Sequence, residues 1–330
     1  MSSISQLLKE NNPHEDILAI AGSLGEKENM PTYIVGGYVR DTLLGKPCQD
    51  IDIMVEGDGI AFAKKLAREL KVNVTVDYDK FGTAMIPYPD VEIEVATARI
   101  EKYRSDSRKP EVTSSTIEED MSRRDFTINA IAASLLPSSF GELYDPFGGI
   151  KDLQKGLIIT PLDPDETFSD DPLRMLRAVR FAAQLEYDVA STILESISRN
   201  INRLEIVSWE RIRDEIIKSL TTNKPSIAFY LMKETGLLTH VFPEMDIMSG
   251  VETINGMGHK DVFIHTLQVV DNAAKLSDKM EIRFAALVHD IAKPQTKQFN
   301  NIKGWTFHGH DEIGRRMLKK VAQRMKLSNN

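Results

Sequence analysis

Residues 33–52, YIVGGYVRDTLLGKPCQDID, decide the fold of the first part of the chain. The opening YIV predicts a strand that ends in a double glycine, Gly36-Gly37. Asp50 and Asp52 lie one residue apart on a second predicted strand, so their side chains project from one face, roughly 6.6 Å apart. Such a pair can hold two hard cations about 3.5–4 Å apart, as in-line phosphoryl transfer requires. The glycines let backbone N–H groups approach a polyphosphate, so the stretch indicates nucleotidyl transfer.

A lone Asp-x-Asp pair can also be an exposed strand edge, which is the simpler alternative. Here Ile51 and Ile53 occupy the opposite, apolar face, and a Gly-Gly turn and Arg40 precede the pair. These neighbours favour a metal site. A third carboxylate is needed to complete the metal cage or to act on the attacking hydroxyl. Glu92 and Glu94 share one face of a later strand, and either can serve, although a solvated face explains Glu92 better.

The composition is that of an ordinary globular protein. The 330 residues are 42% hydrophobic and 27% charged, with a net charge of −8. Any nucleic-acid site must therefore be a local basic surface. The single cysteine, Cys48, excludes an internal disulfide framework and fits a reducing compartment. The start lacks a signal-peptide pattern and no window holds eighteen apolar residues, so we expect a cytoplasmic protein without a membrane segment.

The chain changes character along its length, which predicts an α+β part followed by an all-α part. Alternating apolar residues predict a mixed sheet, residues 101–120 predict an exposed loop, and residues 126–136 predict a helix. The turn-rich YDPFGGI at 144–150 is a plausible boundary. We therefore expect a head at 1–145, a helical neck at 146–235 and a helical body at 236–330.

Six segments, in order between about Tyr33 and Leu220, resemble the bacterial tRNA nucleotidyltransferase and poly(A) polymerase family, the class II branch of the polymerase β-like superfamily. They are YIVGGYVRDTLLG, DIDI, IEVATAR, RRDFTINAIA, YDPFGGIKDL and DDPLRMLRAVRFA. The resemblance implies a head with a five-stranded sheet, a neck that recognises the incoming nucleotide, and helical domains that hold tRNA.

The resemblance also implies the following roles. Asp50 and Asp52 would hold magnesium ions, and Glu94 matches the third acidic position. The triphosphate would contact Gly36, Gly37 and Arg40. In Arg123-Arg124-Asp125, Arg124 would lie near phosphate, and Asp125 and Asn129 near the sugar. Asp125 precedes a predicted helix, so a simple N-cap is the alternative explanation.

Asp171-Pro172 predicts the start of another helix, with an acidic cap and a proline in the first turn. Asp171 and Arg174 share one face of it, so a cap with an intrahelical ion pair is one interpretation. The other is base recognition: a carboxylate accepts from an exocyclic amine while a guanidinium donates to a ring nitrogen or carbonyl. Cytosine and adenine both present an amine beside an acceptor nitrogen, whereas uracil and guanine do not. The pair could thus select CTP and ATP.

The resembling family carries Glu-Asp-x-x-Arg here and uses the protein as template. In this chain the first position is Asp170, a shorter acid. Arg177 is expected to support Arg174, and Arg180 to belong to the same basic surface. Further arginines continue along the neck, where a solvated helix face and an RNA track explain them equally well; they are Arg199, Arg203, Arg211 and Arg213.

Five of the seven histidines fall between His259 and His310. A lone histidine on an apolar face is usually a core residue, but His265 followed by the doublet His289-Asp290 favours a divalent transition metal. The region resembles an HD phosphohydrolase domain, which suggests these three as ligands, with His308 and His310 as additions. HD proteins supply a closing aspartate on a later helix, and none is obvious before Asn330. We therefore expect a truncated chain and an incomplete site.

The leading hypothesis is an enzyme that adds C, C and A to the tRNA 3′ end from CTP and ATP. The nearest alternative is a poly(A) polymerase or an A-adding enzyme that uses ATP alone. A third hypothesis makes the HD region the active part, a phosphohydrolase acting on RNA ends, with a head that binds RNA. The intact carboxylates argue against a catalytically inactive head and against a protein that only binds RNA. No oligomeric state follows from the sequence.

Overall fold

The computed structural model describes residues 3–10, 12–48, 50–72, 75–78, 82–104 and 107–327; the side chains of residues 99–114 lie outside this description. The chain divides into two compact units, residues 1–163 and 164–330. The finer division into head, neck and body stays a prediction.

The first unit, residues 1–163, alternates helices and strands. Its helices are α1 (Ser5–Lys9), α2 (Glu15–Lys27), α3 (Gly37–Leu43), α4 (Gly59–Glu69), α5 (Ile117–Ser122) and α6 (Gly149–Lys155). Its strands are β1 (Thr32–Val35), β2 (Asp50–Val55), β3 (Val76–Tyr78), β4 (Thr83–Tyr88), β5 (Val91–Thr97), β6 (Arg99–Arg104), β7 (Ser107–Ser114), β8 (Ala132–Ser134), β9 (Leu143–Tyr144) and β10 (Leu157–Ile158).

Seven of these strands form one mixed sheet in the order β3-β4-β5-β2-β1-β8-β9. Within it β2 and β5 run parallel, and the other described pairs are antiparallel. Apolar side chains cover one face of the sheet, where Ile34, Ile51, Ile53 and Ile93 are at most 1% exposed beneath helices α2 and α4. The α+β class and the mixed sheet are confirmed.

The predicted count of five strands was too low, because the segment predicted as a helix at 126–136 contains one of the two extra strands. Residues 127–129 form a single 3-10 turn, and β8 then pairs with β1, Ala133 opposite Ile34. Every residue from Phe126 to Leu135 is buried. The apolar run at residues 130–133, AIAA, is too short to show helical or strand periodicity, so the pattern could not separate the two.

The expected loop at 101–120 was also wrong. Strands β6 and β7 pair antiparallel with each other, and α5 follows. A backbone ladder satisfies N–H and C=O groups whatever the side-chain polarity, so a polar composition does not exclude it. The start of helix α5 can be recognised in the sequence. Thr116 and Glu119 form a complete capping box, the S/T-x-x-E pattern.

The second unit, residues 164–330, is mainly helical, as predicted. Its helices are α7 (Pro164–Asp170), α8 (Leu173–Leu185), α9 (Ser191–Asn200), α10 (Trp209–Leu220), α11 (Ser226–Glu234), α12 (Leu237–Val241), α13 (Pro243–Asp246), α14 (Val262–Leu276), α15 (Met280–Val288), α16 (Lys293–Thr296) and α17 (His310–Arg324). Its short strands are β11 (Asp188–Val189), β12 (Thr253–Ile254), β13 (Met257–Gly258), β14 (Gln298–Asn300) and β15 (Gly304–Thr306). Among the described residues, no helix combines the length and apolar character needed to cross a bilayer.

Candidate active site

Four carboxylates project from one face of the parallel pair β2–β5. The register places Asp52 opposite Glu94 and Asp50 opposite Glu92. Because side chains alternate along a strand, the intervening Ile51 points into the core on the other face. The predicted carboxylate pair and its third member therefore lie side by side, and Glu92 lies on the same face.

Asp52 is the most enclosed of these acids. Burial raises the pKa of Asp52 to about 6; the Arg124 guanidinium opposes the rise, and the Glu94 and Asp50 carboxylates add to it. The Asp52 carboxyl group thus lies near two other carboxylates, in an environment with little access to water. A divalent cation would relieve this concentration of negative charge, so the donor set fits a hard metal.

The double glycine forms the turn between β1 and α3. Gly36 has φ 66° and ψ −126°, and its N–H donates to the Ile131 carbonyl over 3.0 Å. A Cβ at this position would lie 2.7 Å from Nη1 of Arg124. The positive φ favours glycine at this position, and the short distance places the Arg124 guanidinium directly against the turn.

A buried hydrogen-bond chain connects the residues expected near the sugar and the phosphates. Asp41 holds Arg40 through two bonds, Nε–Oδ1 at 2.9 Å and Nη2–Oδ2 at 2.8 Å. Arg40 Nη1 donates to Oδ1 of Asn129 over 2.6 Å, and Asn129 Nδ2 donates to Oδ1 of Asp125 over 3.0 Å. Asp125 and Asn129 are thus hydrogen-bonded to each other, and a 3-10 turn rather than the predicted α-helix brings them together. Asp41 was not singled out from the sequence.

The segment YDPFGGIKDL, which was expected to hold a domain boundary and is one of the six resembling segments, supports this turn. Asp145 caps α6 by accepting from the N–H groups of Gly149 and Ile150. A Cβ at Gly149 would lie 2.1 Å from the Thr127 carbonyl oxygen, so α6 packs directly on the backbone of the turn. The Thr127 hydroxyl donates to Asp152 Oδ2 over 2.8 Å. By packing against the 3-10 turn at residues 127–129, the motif fixes the position of Asn129.

In the second unit, the predicted base-reading residues lie at the start of α8. That helix begins at Leu173 rather than Pro172, and the predicted cap by Asp171 is replaced by a hydrogen bond in which Oδ1 of Asp171 accepts from the Leu173 N–H over 3.2 Å. Arg211 on α10 donates to the other oxygen of Asp171 over 3.1 Å. The backbone N–H of Arg174 donates to the Asp171 carbonyl over 3.0 Å. Asp171 and Arg174 are thus brought together, and Arg211 is a partner that sequence reasoning did not assign.

The two further arginines of α8 differ. The Arg177 guanidinium lies 5.4 Å from the centre of the Phe181 ring and is only partly buried. Arg180 was expected on the same basic surface, but its side chain is buried and its Nε donates to Glu215 over 2.6 Å. A surface assignment for Arg180 is therefore incorrect. The helical period placed it on the inner face of α8, where a carboxylate from α10 compensates its charge.

A second cluster lies between α14 and the end of α15. The ligand atoms of His265, His289 and Asp290 all lie within 4.8 Å of one another, and in the described part of the chain no other such triad of His, Cys, Asp or Glu occurs. Asp290 is buried, with its Oδ2 3.1 Å from Nε2 of His289 and 3.8 Å from Nε2 of His265. The chemistry of two imidazoles and a carboxylate fits a first-row transition metal.

The surroundings orient these ligands. Nδ1 of His289 faces the Ala286 carbonyl at 2.8 Å, which directs Nε2 towards Asp290. His310 has the same arrangement with the Phe307 carbonyl, and its Nε2 lies 3.7 Å from Oδ1 of Asp290. His310 therefore lies beside Asp290, outside the triad itself, whereas His308 is exposed.

Lys293 donates to Oδ2 of Asp290 over 2.6 Å. Burial raises the pKa of Asp290, but hydrogen bonds from His289 and Lys293 outweigh it and lower the value to about 2. The hydrogen bond to Asp290 raises the pKa of His289 above its usual value, against the effect of burial. Asp290 is thus a carboxylate at any physiological pH.

Three family models match successive parts of the chain. The one described as "Poly A polymerase head domain" matches residues 32–159, "Probable RNA and SrmB-binding site of polymerase A" matches residues 186–248, and "HD domain" matches residues 262–329. These matches agree with the predicted order of an α+β head followed by helical parts that end in an HD region. Nucleotidyltransferase and HD domains are generally metal-dependent.

The chain is similar to several curated proteins. It is 33% identical to the "Multifunctional CCA protein" of Nitrosospira multiformis, over 91% of this chain and 70% of that protein. It is 36% identical to the protein of the same name from Nitrosococcus oceani, over 90% of this chain and 71% of that protein. An "A-adding tRNA nucleotidyltransferase" of Geobacter sulfurreducens is 35% identical over 80% of this chain but only 28% of that protein.

The chain is also similar to solved structures of CCA-adding enzymes. The Thermotoga maritima CCA-adding enzyme complexed with tRNA superposes with a TM-score of 0.72 at 28% identity, over 99% of this chain and 70% of that one. Complexes of a CCA-adding enzyme with CTP and with ATP match at 30% identity, with TM-scores of 0.70 and 0.72. Each covers 99% of this chain; the shares of those chains are 71% and 69%.

Proposed function

The chain belongs to the bacterial family of CCA-adding tRNA nucleotidyltransferases, and we propose that it adds C, C and A to the tRNA 3′ end from CTP and ATP. The observation that carries this is the parallel register of Asp50 and Asp52 beside Glu94, next to a glycine turn that two arginines approach. The family resemblance inferred from the motifs is confirmed. The enzyme class, a nucleotidyltransferase, follows from it.

In the head, Asp50 and Asp52 would hold magnesium, with Glu94 as the third carboxylate. Bound there, the metal would supply charge neutralisation on the triphosphate and activation of the tRNA 3′ hydroxyl. The protein's own residues would arrange the nucleotide. Gly36 and Gly37 present open backbone, and Arg124 and Arg40 place positive charge at the turn. Asp125 and Asn129, fixed by the Arg40 chain, would contact the ribose.

In the second unit, Asp171 and Arg174 would recognise the base, with Arg177 beside them. Arg211 and the Leu173 N–H restrain the Asp171 carboxylate, so it is presented in a fixed orientation. A rigid acceptor is suited to an exocyclic amine, which CTP and ATP share. Cytidine and adenosine nucleotides would then be selected by protein side chains in place of a nucleic-acid template. The partners are accordingly tRNA, CTP and ATP, in a cytoplasmic setting.

The decisive experiment offers tRNA that lacks its terminal CCA together with each single nucleoside triphosphate, and with CTP plus ATP. We expect C, C and A to be added in order when both nucleotides are present. Tailing with ATP alone would contradict the proposal and favour an A-adding enzyme or a poly(A) polymerase. That alternative is less favoured, because relatives matched over 70% or more of their own length are named CCA proteins, and the chain also resembles CCA-adding enzymes solved with CTP and with ATP.

A second activity, phosphohydrolysis at the HD site, is favoured by the triad of His265, His289 and Asp290 with His310 beside it. Such a site would hold a divalent transition metal. Beside His265 lies a cavity of about 610 Å³ whose lining includes Lys260, Lys293 and Lys303 and no acidic residue. A cationic cavity suits a phosphate ester. A screen of divalent metals for phosphate release from a 2′,3′-cyclic nucleotide tests this, and activity that persists in His289→Ala would contradict the assignment.

A further inference from the structure

Asp120, on α5, is a buried acid to which neither the motifs nor the resemblance gave a role. Its side chain is 3% exposed. One oxygen, Oδ1, accepts from Nη2 of Arg123 over 2.5 Å, and the other, Oδ2, accepts from Nε of Arg124 over 3.2 Å. A single carboxylate therefore restrains two consecutive guanidinium groups.

Helix α5 is itself tied to the strand that carries the catalytic acids. Its N-terminus is closed by the Thr116–Glu119 capping box. The Ile117 N–H donates to Oε1 of Glu56 over 2.9 Å, and Glu56 directly follows β2. Asp120 thus has a fixed position relative to Asp52, four residues before Glu56 on that strand.

Arg124 spans the distance between the glycine turn and the carboxylates. Its Nη1 is 2.7 Å from the place of a Cβ on Gly36, and it donates to the Asn129 carbonyl over 3.4 Å. Its charge also acts on Asp52. The second contact is long, so the Nε bond to Asp120 is the stronger restraint on the guanidinium.

We propose that Asp120 is a positioning residue for nucleotidyl transfer. It holds the Arg124 guanidinium against Gly36, where Arg124 contacts the triphosphate, and it does not itself touch the nucleotide. The inference rests on the proposed role of Arg124. A purely structural ion pair would instead stabilise the head without affecting how well nucleotides bind.

The test compares Asp120→Asn, Arg124→Ala and the double variant, with Glu119→Gln as matched control. Glu119 is exposed on the same helix, and glutamine retains its capping bond. KM and kcat are measured for CTP and for ATP on tRNA lacking its CCA end, alongside the melting temperature. We expect Asp120→Asn to raise KM by about tenfold or more for both nucleotides, because a charge-assisted contact to phosphate is lost. The CTP/ATP preference should not change.

The double variant separates positioning from structure. If Asp120 acts through Arg124, adding Asp120→Asn to Arg124→Ala raises KM no further, and additive effects would overturn the inference. A normal KM in Asp120→Asn would also overturn it. A normal KM in Arg124→Ala would instead refute the proposed role of Arg124.

Should Asp120→Asn fail to fold, Asp120→Glu takes its place, since it keeps the charge but displaces Arg124 by one methylene. An unchanged KM in that variant would overturn the inference, and a raised KM would support it.

Discussion

At the scale of single residues, the site concentrates like charges that the fold alone would not favour. Asp52 is enclosed beside Asp50 and Glu94, and the Arg124 guanidinium offsets their negative charge. Such an arrangement is typical of a functional site, where a charge is kept despite its effect on stability. The sequence predicted these acids because their alternation with isoleucines is unambiguous. No role was predicted for Asp120 or Asp41. Their arginine partners are close in sequence, but the groups that those arginines approach are fixed by tertiary packing.

Asp52→Asn should abolish nucleotide addition, by at least about a thousandfold, since holding the metal contributes several kcal/mol to transition-state stabilisation. Single-turnover addition of C to tRNA lacking its CCA end measures this. Substantial residual activity would show that the metal assignment is wrong.

The same substitution should stabilise the metal-free protein at neutral pH. The folded pKa of Asp52, about 6, exceeds its ordinary value of 3.8, so the folded state binds the proton more tightly. The stabilisation by that proton is complete below pH 3.8 and is lost as the pH rises towards 6. Above that window the unfolding free energy of Asp52→Asn should exceed that of the wild type by about 1–3 kcal/mol. Urea unfolding with a chelator, at pH 4 and pH 7.5, should show this difference only at the higher pH.

Arg174→Ala should relax base choice while the chemistry continues. Removing one base contact of about 1–3 kcal/mol predicts a loss of roughly 10- to 100-fold in discrimination against UTP and GTP. Competition between nucleotides in the addition assay measures the ratio. An unchanged preference for CTP and ATP would refute the templating role.

At the scale of secondary-structure elements, prediction succeeded where apolar and polar residues alternate with a regular period and failed where they do not. Strand β2 alternates acids with isoleucines and was placed correctly. Strand β8 overlaps the apolar run at residues 130–133, which is too short to show a period, and the prediction of a helix there was wrong. Strands β6 and β7 are polar and were taken for a loop, although their backbones pair. The glycine-rich segment before α6 predicts only a turn-rich boundary. Its close packing against Thr127 is visible in the sequence only as the glycine that the packing requires.

Gly149→Ala should show that α6 supports the active site. The added methyl group would overlap the Thr127 carbonyl oxygen, so we expect destabilisation of about 1–3 kcal/mol and reduced nucleotide addition. Gly314→Ala on α17 is the control, because its Cβ would meet only ordinary contacts at 3.6 Å. That variant should gain roughly 0.5–1 kcal/mol. Equal unfolding midpoints in urea for the two variants would contradict the packing argument.

At the scale of the whole molecule, the two candidate metal sites lie in different units. The head carboxylates belong to residues 1–163, and the histidine cluster belongs to residues 164–330. Their donor sets differ as well, since oxygen ligands suit magnesium and imidazoles suit transition metals. The order of parts was predictable because the composition changes along the chain, whereas the ends of individual elements were not.

His289→Ala should therefore remove transition-metal binding at the second site and leave the addition of C, C and A within about twofold of wild type, since substitutions at sites that share no partner act independently. Asp52→Asn should abolish the addition of C, C and A and leave transition-metal binding at the histidine cluster unchanged. Zinc or nickel titration by calorimetry, paired with the addition assay, measures both. Loss of nucleotide addition in His289→Ala would show that the two sites are coupled.

The parallel pairing of β2 with β5 has a consequence for how the protein acquires its activity. The β4–β5 pair closes through a tight turn between Tyr88 and Val91, whereas Asp52 and Glu94 are neighbours only after the chain between them has folded back. Contacts of high sequence separation require a large loop closure and form late. A nascent or partly refolded head would thus have its carboxylates apart. A divalent cation held by these carboxylates would bind only the finished sheet and would therefore stabilise it against unfolding.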